Sequence, residues 1–150
     1  MKTLLLTFLV VLSISVPAHS AEGMIDVESS FGVQETGDRL ENVLKEKGMT
    51  IFNRVKHSDA AKNAGVELRE TELIIFGNPK VGSPLMKCQQ SVAIDLPQKA
   101  LIWKDENGQV WLSYNAPQYL AKRHDLKECM EVIKKVEKAL SNFSKAATMP

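Results

Sequence analysis

Residues 76–86 read FGNPKVGSPLM, and this segment determines how the middle of the chain is interpreted. It begins at the end of the run 71–76, which is apolar at every position from residue 73 and is typical of a short strand buried on both faces. Glycine and proline then indicate a tight loop, and Ser83 followed by Pro84 suits the N-cap and first position of a helix. The sequence therefore predicts a strand, a corner and a helix that ends before Pro97. The buried side of that helix would carry Leu85, Cys88, Val92 and Leu96.

The segment 100–114 predicts a β-hairpin. Its centre is Asn107-Gly108, a dipeptide that favours a two-residue type I′ turn. A turn of that type sets the register of the two strands, because the side-chain period of a strand is two residues. It would place Trp103 directly opposite Leu112.

This register also decides which side chains leave the core. Ile102 and Trp111 fall on the less apolar side of the ribbon and are expected on the far face of the sheet. Burying such side chains stabilises an assembly by about 1.5–3 kcal/mol each, so the two residues are candidates for a dimer face. The alternative is a half-covered Trp111 with Lys104 lying over its ring.

The other segments complete an α+β pattern. Strands are expected at 24–31 and 50–57, and helices at 34–47, 59–63, 118–124 and 126–144. This order predicts an α+β two-layer sandwich, with one mostly antiparallel sheet and helices packed on one face.

Three segments, 76–86, 103–115 and 119–124, together resemble the bacterial domain of unknown function 302 family. The resemblance covers almost all of the chain after residue 23. It implies a small α+β domain that is often dimeric, in a family without an established activity. A homodimer is therefore the expected assembly.

The first 20 residues have the features of a signal peptide. Lys2 is followed by an apolar run of 13 residues, 4–16, which is shorter than the roughly 20 residues that span a bilayer. The small residues Ala18 and Ser20 fit a cleavage site after Ser20. We expect residues 1–20 to be removed and residues 21–150 to form one soluble domain, periplasmic or secreted, without a membrane segment. The alternative is an uncleaved anchor helix.

Charge argues against nucleic acid as a partner. The full chain has 19 basic and 18 acidic side chains, and removal of residues 1–20 takes away one basic residue, Lys2. The mature chain is therefore balanced, whereas a nucleic-acid groove needs a basic excess.

The chain has two cysteines, Cys88 and Cys129, each on the apolar side of a predicted helix. An oxidising compartment would allow them to pair, provided that their Cα atoms lie within about 7 Å. The alternative is two buried thiols that act as small hydrophobic side chains.

A helix N-terminus preceded by a glycine-rich loop is suited to an anion. We therefore expect a small-ligand site on this loop, suited to an anion, with the two histidines of the mature chain nearby. Its candidate residues are His57, Asn78, Lys80, Gly82, Ser83 and His124. The alternative is that the loop only shapes a strand-to-helix corner.

No cofactor and no catalytic residue is predicted. Copper or non-covalent haem, held by the histidines with Met86 or Met130, is an alternative that the spacing does not support. The chain lacks a Cys-x-x-Cys-His sequence and a Gly-x-Ser-x-Gly sequence, which excludes the usual patterns of covalent haem and of a nucleophile elbow.

The expected function is that of an exported accessory or small-ligand-binding protein without a defined activity. One alternative is a small periplasmic enzyme with His57 or His124 as general base, since neutral imidazole suits that role near pH 7. The other is a structural, dimeric interaction module.

Overall fold

A computed structural model describes residues 21–150, so the predicted signal peptide lies outside the described residues. Five strands form one antiparallel sheet: β1 (Met24–Ser29), β2 (Thr50–Lys56), β3 (Thr71–Gly77), β4 (Gln98–Lys104) and β5 (Val110–Asn115). The helices are α1 (Val33–Glu46), α2 (His57–Asn63), α3 (Pro79–Cys88), α4 (Pro117–Arg123) and α5 (Met130–Thr148). Two short 3₁₀ segments are Gln90–Ile94 and Lys127–Cys129. The predicted α+β sandwich with one antiparallel sheet is confirmed.

The strand order is β1-β5-β4-β3-β2, so the first two strands lie at opposite edges of the sheet. Helix α1 connects them and crosses one face. Its buried residues recur at the spacing of a single helical stripe, which is why it can lie flat on the strands: Val33, Thr36, Gly37, Leu40 and Leu44. Helix α5 packs beside α1 and buries Ile133, Val136 and Leu140 in the same layer.

Strand β3 was predicted to be buried on both faces, but its residues alternate between buried and partly exposed. Glu72, Ile74 and Phe76 lie under the helices, whereas Leu73 and Ile75 are partly exposed on the far face. Residues 73–76 are apolar at every position because the far face is itself only partly exposed.

The hairpin between β4 and β5 differs from the prediction by one residue. Trp103 pairs with Trp111, and Ile102 pairs with Leu112. The carboxylate of Asp105 accepts hydrogen bonds from the backbone N–H groups of Asn107 and Gln109, both at 2.9 Å. These bonds favour a longer loop in which Gly108 alone takes a positive φ, of 84°.

That shift moves side chains between the faces of the sheet. Ile102 is fully buried under the helices, so it does not share a face with Trp111 and the predicted register was wrong. Trp103 takes its place beside Trp111 on the far face. Both indole N–H groups are bonded within the chain, Trp103 to Ser113 Oγ at 2.8 Å and Trp111 to Asp105 Oδ2 at 2.9 Å.

Helix α3 begins five residues earlier than predicted. Its N-cap is Asn78, whose side chain accepts a hydrogen bond from the N–H of Lys80 at 2.9 Å, and Pro79 is the first helical residue. Ser83 and Pro84 therefore lie inside the helix, which stops at Cys88 and is followed by the 3₁₀ segment. The prediction that Ser83 caps the helix was wrong.

Cys88, at the end of α3, and Cys129, just before α5, are joined in a disulfide with a Cα–Cα distance of 6.5 Å. The bond ties the two helices together at one end of the sheet. In the part of the chain that the structure describes, no helix has the length and apolar character needed to cross a membrane.

Candidate functional site

A cavity of about 520 Å³ lies between the segment 77–86, the chain around Leu96-Pro97 and one side of α5. Its volume falls within the range of about 300–1,000 Å³ that is usual for small-molecule sites. The floor is Phe76 and Leu85, both buried in the core. Phe52 and Val81 stand at the rim, with exposures of 54% and 38%.

The cavity exists because three turns meet at the same end of the sheet. Strand β3 ends at Gly77, β2 starts opposite it at Thr50, and β4 starts nearby at Gln98. A Cβ atom on Gly77 would lie 3.4 Å from both Phe52 and Pro97. Glycine at this position therefore allows those two side chains to approach the strand end closely.

Asn78 fixes the direction in which α3 leaves the sheet. Its side-chain oxygen caps the helix, and its amide nitrogen donates to the carbonyl of Gly48 at 3.1 Å. Gly48 follows α1 and has a φ of 69°, a conformation that favours glycine. The cap thus links the loop after α1 to the start of α3 and holds one wall of the cavity.

The lining is almost entirely apolar. Its largest side chains come from the strand ends, α3 and α5: Met49, Phe52, Phe76, Leu85, Met86, Leu96, Leu140 and Phe143. Among the described residues that line the cavity, Lys135 is the only charged one. An apolar molecule with at most one acidic group would match these walls.

The structure brings three of the six predicted site residues to the cavity. Asn78, Gly82 and Ser83 line it, whereas Lys80 is exposed in the first turn of α3 and is not part of the wall. Since Asn78 is the N-cap, the first turn begins with Pro79 and Lys80, whereas the predicted N-cap was Ser83.

His57 lies at the opposite end of the sheet. It follows β2, which starts beside Gly77 and runs away from it for seven residues. At about 3.3 Å per residue, this places His57 roughly 20 Å from the loop. The structure therefore does not bring His57 and the 77–83 loop together.

His124 is buried, with 8% exposure, in a cluster beside the cavity. Its Nε2 lies 2.6 Å from Asp95 Oδ2, and its Nδ1 lies 3.0 Å from Ser91 Oγ. Arg123 donates to the other oxygen of Asp95 at 3.1 Å. The cluster thus connects the end of α4 to the 3₁₀ segment and to the bend before β4.

The family model described as "Domain of unknown function DUF302" matches residues 25–143, which is most of the chain and includes all five strands except Met24, the first residue of β1. The chain belongs to this family. The matched region contains the whole cavity wall and the His124 cluster.

Curated relatives of this DUF302 chain are fluoride-specific ion channel FluC 1 of Brucella suis biovar 1 (strain 1330) and FluC 1 of Brucella abortus biovar 1 (strain 9-941). Each is 48% identical over 104 residues, which cover 69% of this chain. They cover 41% and 38% of those proteins, so the chain spans about two fifths of the length of the curated relatives it matches.

The crystal structure of an uncharacterized conserved DUF302 protein from Bacillus stearothermophilus is similar to this chain, with a TM-score of 0.77. The match covers 85% of this chain and 99% of the other at 21% identity. This likeness shows a common DUF302 fold.

Metal ligands are not gathered in the described part of this DUF302 domain: residues 21–150 contain no group of three or more His, Cys, Asp or Glu placed to hold an ion. Met86 lines the cavity, but His57 is at the other end of the sheet. The set of histidines and methionines considered for copper or haem is therefore not assembled around the cavity.

Sequence reasoning missed two parts of the site. Ala139 and Phe143 line the cavity beside the predicted apolar stripe of α5 and widen it toward α3. The sequence signal for this wall was the width of the apolar stripe on α5, which is greater than packing against a single helix requires. Ser91 and Asp95 were not linked to His124, because 29 to 33 residues separate them along the chain.

Proposed function

We propose that this DUF302 domain binds a small, largely apolar molecule in the cavity beneath residues 77–86. The observation that carries the proposal is the apolar lining of a cavity of about 520 Å³ whose wall is formed by the segment most distinctive in the sequence. A cavity of that kind is costly to leave filled with water, since its walls offer few hydrogen bonds. An apolar occupant would gain the burial that water cannot provide.

Lys135 suggests how the ligand would be oriented. It lies on α5 at the cavity wall, and its side chain reaches solvent. A carboxylate or another acidic group of the ligand would lie there, with the apolar part directed toward Phe76 and Leu85. The ligand would thus carry the acidic group expected from the sequence, but Lys135, and not Lys80, would contact it.

The uncharged fluorescent dye N-phenyl-1-naphthylamine is a suitable probe of the cavity. We expect saturable fluorescence enhancement with the protein. Ala139→Phe would fill the space between α5 and α3, and we expect it to weaken dye binding at least about tenfold, a loss of about 1.4 kcal/mol. Ala146→Phe is the matched control, because Ala146 is exposed on the same helix and lies outside the cavity. Equal affinity in the two variants would reject the cavity as the binding site.

The acidic end group has its own test. Dodecanoate and 1-dodecanol have the same chain and differ at one end, so they can be compared as competitors of the dye. Lys135→Ala should weaken competition by dodecanoate and leave that by dodecanol unchanged. Lys80→Ala is the control for a nearby exposed cation. A larger loss in the Lys80 variant would place the anion contact at the start of α3.

The site of action that we propose is outside the cytoplasm. The signal-peptide features of residues 1–20 support it, as does the disulfide between Cys88 and Cys129, since such bonds persist in oxidising compartments. The intact mass of the protein from a periplasmic extract should correspond to a chain beginning at Ala21 with two hydrogens fewer than the sequence mass. A full-length mass in the cell interior would contradict this location.

A second candidate function rests on the curated relatives. Since 104 residues of this chain are 48% identical to part of proteins named fluoride-specific ion channels, we propose an accessory role beside such a channel. Deleting the gene for this chain should then lower the highest fluoride concentration at which cells that contain the channel can grow. If the deletion lowers this concentration equally in cells that lack the channel, the chain does not act through the channel.

A further inference from the structure

The cluster around His124 has a feature that binding in the cavity does not use. Ser91, the second residue of the 3₁₀ segment, is exposed, whereas His124 behind it is buried. Ser91 Oγ lies 3.0 Å from Nδ1, and Asp95 Oδ2 lies 2.6 Å from Nε2. The imidazole is therefore held between a hydroxyl that solvent can reach and a carboxylate of which 12% is exposed.

This arrangement determines which nitrogen carries the proton. A carboxylate only accepts hydrogen bonds, so in the neutral ring Nε2 carries the hydrogen that is directed at Asp95. Nδ1 then has a free lone pair, and the Ser91 hydroxyl donates to it. Arg123 occupies the other oxygen of Asp95 at 3.1 Å, which keeps the carboxylate in the orientation that the ring requires.

We propose that Ser91 is a nucleophile activated by His124, with Asp95 as the positioning residue, and that this site accepts a small acyl ester. A serine, a base in contact with it and a group that orients the base are the features by which such sites are recognised, irrespective of their order in the chain. Within residues 21–150, Ser91 is the only serine for which the structure gives a hydrogen bond to a histidine. The proposal does not depend on the cavity.

The reaction would proceed in two balanced steps. Ser91 Oγ bonds to the ester carbonyl carbon while its proton moves to His124 Nδ1, and the C–O bond to the alcohol breaks as the alcohol takes that proton. Water then gives a proton to Nδ1 and attacks the acyl-serine. The carboxylic acid leaves, and the proton returns to Ser91. Ester and water are consumed, and acid and alcohol are formed.

A fluorophosphonate probe tests the serine directly, because it forms a stable bond to an activated hydroxyl. After reduction, trypsin releases residues 88–99, in which Ser91 is the only serine. We expect one adduct, located in that peptide. Ser91→Ala should abolish it, and Ser30→Ala, at another exposed serine that lies outside the cavity, should leave it unchanged. No adduct in the peptide, or an adduct that survives Ser91→Ala, would overturn the proposal.

The role of His124 as the base is tested with a variant that keeps its hydrogen bonds. The Gln amide in His124→Gln can still bond to Ser91 and Asp95, so the fold should survive, and labelling should slow by about 100-fold or more. Asp95→Asn should slow labelling and displace its pH profile.

Should His124→Gln fail to fold, the wild-type pH profile decides. A labelling rate that rises with pH as the base loses its proton supports this role, and a rate that stays constant with pH rejects it. A folded His124→Gln variant that labels as fast as wild type would also reject it and leave the cluster a structural link between α4 and the 3₁₀ segment.

Discussion

The guanidinium of Arg54, on β2, lies 2.6 Å from the carboxylate of Glu72, on β3, on the helix-covered face of the sheet. Burial acts to lower the pKa of Arg54, but hydrogen bonds to Asp38 and Glu72 outweigh it and raise the pKa. Glu72 is 7% exposed, so removing this partner would leave a buried carboxylate uncompensated. Helix α1 approaches the pair at Gly37, where there is no side chain to interfere.

Gly37→Ala should destabilise the fold. A Cβ atom at this position would lie 2.9 Å from Arg54 Cζ and 3.3 Å from Glu72 Oε2, so the ion pair has to move. We expect a loss of about 1–3 kcal/mol in the free energy of unfolding, typical of overpacking, measured by urea titration.

The matched control is Gly82→Ala, a glycine inside α3. Its Cβ atom would meet only Leu96 Cδ1, at 3.7 Å, an ordinary contact. Alanine is a better helix former by up to about 1 kcal/mol, so this variant should be as stable as wild type or more stable. If both variants lose the same stability, the close approach at Arg54 is not the cause.

Asp105 should make the stability of the hairpin depend on pH. The hydrogen bond from Trp111 lowers the pKa of its carboxyl group, and bonds from the backbone of Gln109 and Asn107 act in the same direction. A carboxyl whose pKa is lower in the folded state stabilises that state above the unfolded pKa, and this contribution is lost as the pH falls through the folded pKa.

Asp105→Asn should therefore be less stable than wild type at pH 7, and the two should converge as the pH falls below 3.8, the ordinary value for this group. Urea titrations at pH 7 and pH 3 measure the difference. Glu106→Gln, at an exposed position of the same turn, should change stability little at either pH. A difference between Asp105→Asn and wild type that stays constant with pH would contradict the charge-based account.

The disulfide should contribute a large part of the stability. It connects residues 41 positions apart, and the loss of chain entropy expected for a loop of that length corresponds to about 4 kcal/mol. A Cys88→Ala, Cys129→Ala variant should lose about 2–4 kcal/mol in the free energy of unfolding. Adding a reductant should lower the stability of the wild type and leave the variant unchanged. Equal sensitivity of both proteins to the reductant would show that its action lies elsewhere.

Trp111 should be central to the homodimer that the sequence predicts. It pairs with Trp103 on the far face, and because both indole N–H groups are already bonded within the chain, the exposed parts of the rings are apolar. Trp111→Ala should convert the dimer to a monomer in light scattering after gel filtration. Phe52→Ala, at the cavity rim, should remain dimeric. A dimer in both variants would exclude the far face as the interface.

Much of the architecture was accessible from the residues alone, because hydrophobic periodicity determines element type. The start of α3 was not. Asn78-Pro79 and Ser83-Pro84 satisfy the same rule for a helix start, and the rule cannot choose between them. The hydrogen bond from Asn78 to Gly48 favours the first pair, and it joins residues that are 30 positions apart.

The hairpin shows a different limit. Asn107-Gly108 favours a two-residue turn, but Asp105 and Gly108 also fit the first and last positions of a type I turn. The longer loop gains two hydrogen bonds to the Asp105 carboxylate, and it buries Ile102. Likewise, the distance between His57 and the 77–83 loop follows from the direction of β2 in the sheet, and the pattern of residues along the chain does not specify that direction.

The edge position of β1 has a consequence for how this chain reaches its final form. Strands β2 to β5 are neighbours in the order in which they are synthesised, and each can pair with the one before it. β1 pairs with β5, Met24 opposite Asn115, so the first strand made has to wait for the last. Contacts between such distant residues form slowly. We therefore expect the pairing of β1 with β5 to be the last step in the formation of the sheet.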